Sequence, residues 1–165
     1  MPDLKMLFSE LIRFETELFT VVDARLRADC GLPLAWFEPM QVISRRASCR
    51  VYDIAAELSI TVGGTSKLVD RIEAAGYCRR RANPEDRRSS IIELTAAGRR
   101  LLAKATEAFE DELQTRIGSA IPARSLQQFS ATLTKLRSAS KPMAGALPTG
   151  PVSLPRRPRG MAQPA

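Results

Sequence analysis

A chain of 165 residues that is 44% hydrophobic and 26% charged has the composition of one globular domain with a real core. No apolar run approaches the roughly 18 residues that a bilayer span needs, and Asp3, Glu10, Glu15 and Glu17 interrupt the first 20 residues in a way a signal peptide would not. With no histidine, and with Cys30, Cys49 and Cys78 far apart, there is no zinc set, no nucleophile–base pair and no cofactor motif to suggest an enzyme. A cytoplasmic protein is expected.

The first helix is expected over residues 4–27. Leu4, Leu7, Leu11, Phe14, Leu18 and Val21 recur at spacings of three and four, with Glu15, Glu17, Arg25 and Arg27 off the stripe. So long a stripe at one end of a small domain suits packing against another chain. Gly31 can close the helix with a left-handed cap, and Pro33 follows it. A second helix over 34–47 carries Trp36, Phe37, Met40 and Ile43, with Pro39 in its first turns. Trp36 and Phe37 read as core or as the lining of an apolar ligand pocket.

Residues 51–98 are the informative stretch. Val51, Ile54, Ala55 and Leu58 give a short third helix over 51–59, and Thr61 is placed to cap the next. In that helix, 62–75, Thr65, Leu68, Val69 and Ile72 share one arc. Gly63, Ser66, Lys67, Asp70, Arg71 and Ala74 share the other, which has no bulky apolar residue. Gly76 ends the helix. Tyr77–Ala82 and Ser89–Leu94 read as two strands around the turn Asn83-Pro84-Glu85-Asp86, with Arg79, Arg80, Arg81, Arg87 and Arg88 on the hairpin. Helix, turn, helix and basic hairpin in this order predict a winged helix-turn-helix, which sets its second helix in a DNA major groove.

Thr95 is expected to cap a fifth helix over 96–117, striped by Leu102, Ala105, Phe109, Leu113 and Ile117. Pro122 opens a sixth, in which Leu126, Phe129, Leu133 and Leu136 repeat nearly as a heptad. Beyond residue 139 the chain is rich in proline and holds Lys141, Arg156, Arg157 and Arg159 without an acid, which predicts a disordered basic tail. The net charge of +7 is therefore concentrated in a hairpin and a tail, where it suits a phosphate backbone.

Several stretches together resemble the MarR family of bacterial transcription regulators: Leu58-Ser59-Ile60-Thr61, then Lys67 to Glu73, Gly76, Asn83-Pro84-Glu85-Asp86-Arg87-Arg88-Ser89, and Leu94-Thr95-Ala96-Ala97-Gly98. The resemblance covers about residues 5–138. It implies a mainly α fold with a small β-hairpin wing and long N- and C-terminal dimerisation helices. A MarR-like domain is expected over 1–138, with its DNA-binding lobe at about 34–98, dimerisation helices at about 4–30 and 99–138, and the tail at 139–165. It also implies a homodimeric repressor on double-stranded DNA, binding a pseudo-palindromic operator and released by a small, often aromatic, ligand. Gly63 and Gly64 depart from the family, which usually has polar side chains there.

The expected DNA-contacting residues are Thr61, Gly63, Gly64, Ser66, Lys67, Arg71, Arg79, Arg80, Asp86, Arg87 and Arg88. Lys67 and Arg71 would lie in the major groove, Lys67 on phosphate, with Ser66 beside them. Arg87 is the minor-groove candidate. Arg79 and Arg80 would touch phosphates, and Asp86 would brace the wing by pairing with Arg88 or Arg71. Phe14, Leu18, Trp36, Phe37, Met40 and Phe109 are the candidates for a ligand pocket. No metal or cofactor is expected, and no membrane partner. The alternative is a redox-responsive regulator of the same type acting through a cysteine. A nucleoid-associated place in the cytoplasm follows from DNA binding.

Overall fold

A computed structural model describes residues 3–140, so most of the expected tail lies outside the described residues. One compact unit ends at Pro122 and a second begins at Ala123.

Helix α1 runs Leu4–Cys30, three residues past its expected end. Asp3 Oδ1 accepts the Lys5 N–H at 2.9 Å to open it, and Gly31 at φ 65 closes it by donating to the Arg27 carbonyl at 3.0 Å. Asp23 Oδ1 accepts the Leu34 N–H at 2.8 Å and so ties α1 to the start of α2, Leu34–Arg45. This second helix stops two residues before its expected end, because Arg46 turns extended. Arg45 and Arg46 both pair with Glu57 of α3, Val51–Leu58, which fixes the loop between these helices. Ser59 then adopts φ 56, which bends the chain sharply into α4, Val62–Ala74.

Strands β1, Cys78–Ala82, and β2, Ser90–Leu94, pair antiparallel with Cys78 opposite Leu94 and Ala82 opposite Ser90. Ile92 of β2 also donates to the Cys49 carbonyl at 2.7 Å, which anchors the hairpin beside α3. The chain continues into α5, Ala96–Leu113, which ends in a π-helical turn, Gln114–Gly118, for which the sequence gives no signal.

The core lies where α2, α3 and α4 meet β2 and α5. Phe37, Met40, Ile54, Val69, Ile72 and Ile92 are all buried there. Each such side chain contributes about 1.5–3 kcal/mol by leaving water. Phe37 and Phe109 pack with ring centroids 4.7 Å apart. Glu112, the buried acid of α5, is held by Arg116 at 2.8 Å and lies 3.8 Å from Arg25 of α1. The first half of α1 buries none of its apolar stripe. In the second unit, α6 spans Ala123–Ala139 with Pro122 just outside it, and none of its residues is buried. Among the described residues no helix is long and apolar enough to cross a membrane.

Candidate nucleic-acid interface

The exposed face of α4 is set by its own start. Thr61 Oγ1 accepts the Gly64 N–H at 3.2 Å, and the buried Thr65 donates its hydroxyl to the Thr61 carbonyl at 2.8 Å. With Thr65, Val69 and Ile72 inward, Gly63, Lys67, Asp70, Arg71 and Ala74 are exposed and Ser66 is half-buried. A β-carbon at Gly63 would meet open space, whereas one at Gly64 would stand 3.0 Å from the Thr61 oxygen. Position 64 is thus small because the cap needs it, and position 63 presents bare backbone.

The wing turn is built from its own side chains. Buried Asn83 accepts the Glu85 N–H at 3.0 Å and donates to Ser89 Oγ at 2.9 Å. Asp86 accepts the Arg88 N–H at 2.9 Å. That bond, with help from Ser89, holds the Asp86 carboxyl below its ordinary range. Asp86 therefore braces the wing through backbone, and the expected ion pair with Arg88 or Arg71 does not form. The reason is distance along the chain: a carboxylate two residues before an N–H closes a tight turn without needing a guanidinium. Arg87 and Arg88 are exposed and make no ion pair among the described residues, and the same holds for Lys67 and Arg71 of α4.

The three arginines of β1 divide by strand alternation. Arg79 and Arg81 share Glu93 on one face, Arg79 at 3.3 Å. Arg80 points the other way, toward α4, where its guanidinium pairs with Glu73 and, at 2.7 Å, with Asp70. The expectation that Arg80 touches a phosphate therefore meets a side chain already occupied. Sequence reasoning gives Glu73 no role of its own, only a place at the end of the Lys67-to-Glu73 run. The alternation in β1, with acids three apart on α4, was the available signal.

Two open grooves flank Arg50 at the base of the wing. One, of about 370 Å³, is bordered by Arg46 and Arg81, and the other, of about 430 Å³, by Tyr52, Arg80 and Arg88. The aromatic cluster expected to line a ligand pocket is split. Phe37 and Met40 have no exposed surface and fill the core, Leu18, Trp36 and Phe109 are half-buried, and Phe14 is exposed. Cys49 and Cys78 are buried, and desolvation pushes each thiol up to about 11, while Cys30 is half-buried. Among the described residues no cluster of side chains could hold a metal ion.

Residues 35–90 match the model of the MarR family. The uncharacterized HTH-type transcriptional regulator YfiV of Bacillus subtilis is 26% identical over 76 residues, 46% of this chain and 46% of YfiV, so the chain spans less than half of that relative. Sco3205, a MarR family transcriptional regulator from Streptomyces coelicolor solved in complex with DNA, superposes with a TM-score of 0.80 at 21% identity, covering 86% of this chain and 91% of Sco3205. CouR from Rhodococcus jostii RHA1, solved bound to p-coumaroyl-CoA, superposes at 0.69 with 24% identity, covering 81% of this chain and 91% of CouR. The likeness to these structures is one of fold.

Proposed function

We propose, from the match of residues 35–90 to the MarR family model, that the chain is a sequence-specific DNA-binding transcriptional regulator and not an enzyme. It acts as a homodimeric repressor on a pseudo-palindromic operator, in the cytoplasm on the nucleoid. The observation that carries this reading is the set of exposed cations on α4 and the wing that make no ion pair among the described residues: Lys67, Arg71, Arg87 and Arg88. Lys67 and Arg71 with Ser66 enter the major groove, led by Gly63 and Gly64 and the Thr61 cap. Arg87 enters the minor groove, and Arg79 and Arg88 lie along phosphates.

The dimer reading is supported by apolar side chains left open to water. Leu4 is 71% and Phe8 66% exposed on α1, and Phe129 and Leu136 are exposed on α6. A second copy covering them would set the two α4 helices about 34 Å apart, one turn of duplex. A small aromatic effector entering beside Phe14, Leu18, Trp36 and Phe109 would release the DNA by favouring a dimer with the wrong spacing. CouR, bound to an aromatic thioester, lends that reading its support.

The test is selection of bound duplexes from a random-sequence pool, followed by titration of the recovered sequence. Enrichment of a dyad-symmetric site with half-sites one helical turn apart is expected. Recovery of unenriched sequence bound with equal affinity would leave a non-specific DNA-coating protein instead. Adding small aromatic acids to the recovered complex then tests release.

A further inference from the structure

We propose that Arg80 is a positioning residue, gripping Glu73 and Asp70 of α4 so that the wing is held at one angle and Arg87 falls where the groove is. The inference rests on the DNA-binding reading above. Three bonds carry it. The Arg80 backbone N–H donates to Glu73 Oε1 at 2.8 Å, the guanidinium pairs with the other oxygen of Glu73, and its second nitrogen pairs with Asp70 Oδ1 at 2.7 Å. Because Glu73 takes the backbone as well as the side chain, the grip fixes the strand and not merely a flexible arm.

Alternation makes Arg80 the β1 arginine that can do this, since Arg79 and Arg81 turn to Glu93. The Arg80 side chain is 25% exposed, less than Arg79 at 69% or Arg81 at 46%. Swinging it to a phosphate would break its two carboxylate contacts and leave Asp70, 59% exposed, and Glu73 uncompensated on a helix that faces polyanion. Arg80 therefore also screens those two acids from the DNA.

A two-stranded hairpin has little rigidity of its own, so its angle is set at its base. From Arg80 to the tip the wing is roughly 15 Å long at about 3.3 Å per residue, and a swing of about 10° at the base displaces the tip by nearly 3 Å. A groove hydrogen bond tolerates a few tenths of an ångström. The lock at Arg80 thus governs whether Arg87 makes its contact at all.

The experiment measures affinity for the duplex recovered from the random pool, across a salt series, for the unaltered chain, Arg80→Ala, Arg80→Lys, Glu73→Gln, Arg87→Ala and the Arg80→Ala/Arg87→Ala double variant. Amide hydrogen exchange of residues 79–94 is followed in the free proteins. Arg80→Ala is expected to weaken binding roughly tenfold while leaving the slope of log Kd on log salt unchanged, because no phosphate contact is lost. Arg87→Ala, itself costing roughly tenfold, should cost under about threefold once Arg80 is gone. Glu73→Gln should weaken binding although it removes a negative charge that repels DNA, and Arg80→Lys should recover only part of the loss. Hairpin amides should exchange faster in Arg80→Ala and Glu73→Gln. A slope reduced by about one in Arg80→Ala with the Arg87 penalty intact would make Arg80 a phosphate ligand and overturn the proposal. Tighter binding by Glu73→Gln would do the same. Failure of the unaltered chain to bind any duplex sinks the DNA-binding reading itself, whereas unchanged hairpin exchange in Arg80→Ala sinks the lock, so the two failures are separate.

Discussion

The α-carbon of Gly98 lies so close to the carbonyl of Tyr77 that a β-carbon there would stand 1.9 Å from the oxygen. The first turn of α5 is pressed onto the turn between α4 and β1. Thr95 completes the joint by donating its hydroxyl to the Gly76 carbonyl at 2.6 Å and its N–H to the Tyr77 carbonyl at 3.0 Å. Two effects oppose each other in Gly98→Ala. Helix propensity alone would favour alanine by about 1 kcal/mol. The neighbour is backbone, however, and cannot rotate aside, and overpacking a buried site costs about 1–3 kcal/mol. A net loss of up to about 2 kcal/mol is expected, seen as a lower urea midpoint with an unchanged m-value. A higher midpoint would show that the joint can open without cost.

Gly63 and Gly64 should part company under the same substitution. Gly63→Ala puts a methyl in open space and should stabilise α4 by about 0.5–1 kcal/mol. Gly64→Ala gains the same propensity but sets a methyl 3.0 Å from the Thr61 hydroxyl that caps the helix. A lost cap costs about 1 kcal/mol, so little or no net gain is expected. Equal gains in thermal unfolding would mean that the cap adjusts freely.

The winged helix-turn-helix was legible in the residues because its signals are local. Thr61 and Thr95 each sit one residue before a helix and do cap it, accepting the Gly64 and Gly98 N–H groups. Gly31 closes α1 in the left-handed conformation its position suggested, and the inner arc of α4 buries Thr65, Val69 and Ile72 at the spacing that marked it. What depends on distant partners was not legible. Strand alternation separates Arg80 from Arg79 and Arg81, but nothing local says that Arg80 meets α4. Asp86 is followed directly by two arginines, yet a backbone N–H two residues on satisfies it first. Trp36 and Phe37 are neighbours in sequence, and helix phase alone puts Phe37 against Phe109 and leaves Trp36 half-buried.

The thiols of Cys49 and Cys78 should be inert in the folded chain. Burial pushes each from an ordinary 9.0 up to about 11, so at neutral pH the reactive thiolate is scarce and sterically shielded. A thiol reagent is expected to label both only after unfolding, and mild peroxide should leave DNA affinity unchanged in a variant that retains only these two cysteines. Stability carries the same signature. Below about pH 9 both states keep the proton and nothing is lost. As pH rises toward about 11 the unfolded thiols ionise first, and stability falls by of order 2–3 kcal/mol per thiol. Replacing both with serine should flatten the alkaline limb of the stability curve, and a limb unchanged by the replacement would assign it to other groups.

Removing the minor-groove side chain should separate the wing from α4. Arg87→Ala is expected to weaken binding of the recovered duplex roughly tenfold, and to relax preference for A·T pairs flanking each half-site. Lys67→Ala, on phosphate, should weaken all duplexes alike and lower the salt slope by about one. If Arg87→Ala leaves both footprint and affinity intact, the wing takes no part in recognition.

The proposed dimer can be broken from the α1 side alone. Leu7, on the apolar stripe of α1, is 47% exposed, and Phe8 beside it is 66% exposed. A charge buried without a partner in a two-chain interface costs several kcal/mol. Leu7→Glu should therefore shift the chain from dimer to monomer at micromolar concentration in sedimentation equilibrium, while its helical circular dichroism stays that of the unaltered chain because the site is open in the single chain. Affinity for a two-half-site duplex should fall at least tenfold, since the second half-site no longer benefits from an effective concentration set by the first. Affinity for an isolated half-site should not change. A Leu7→Glu chain that keeps both its mass in solution and its full affinity would move the dimer contact off this stripe of α1.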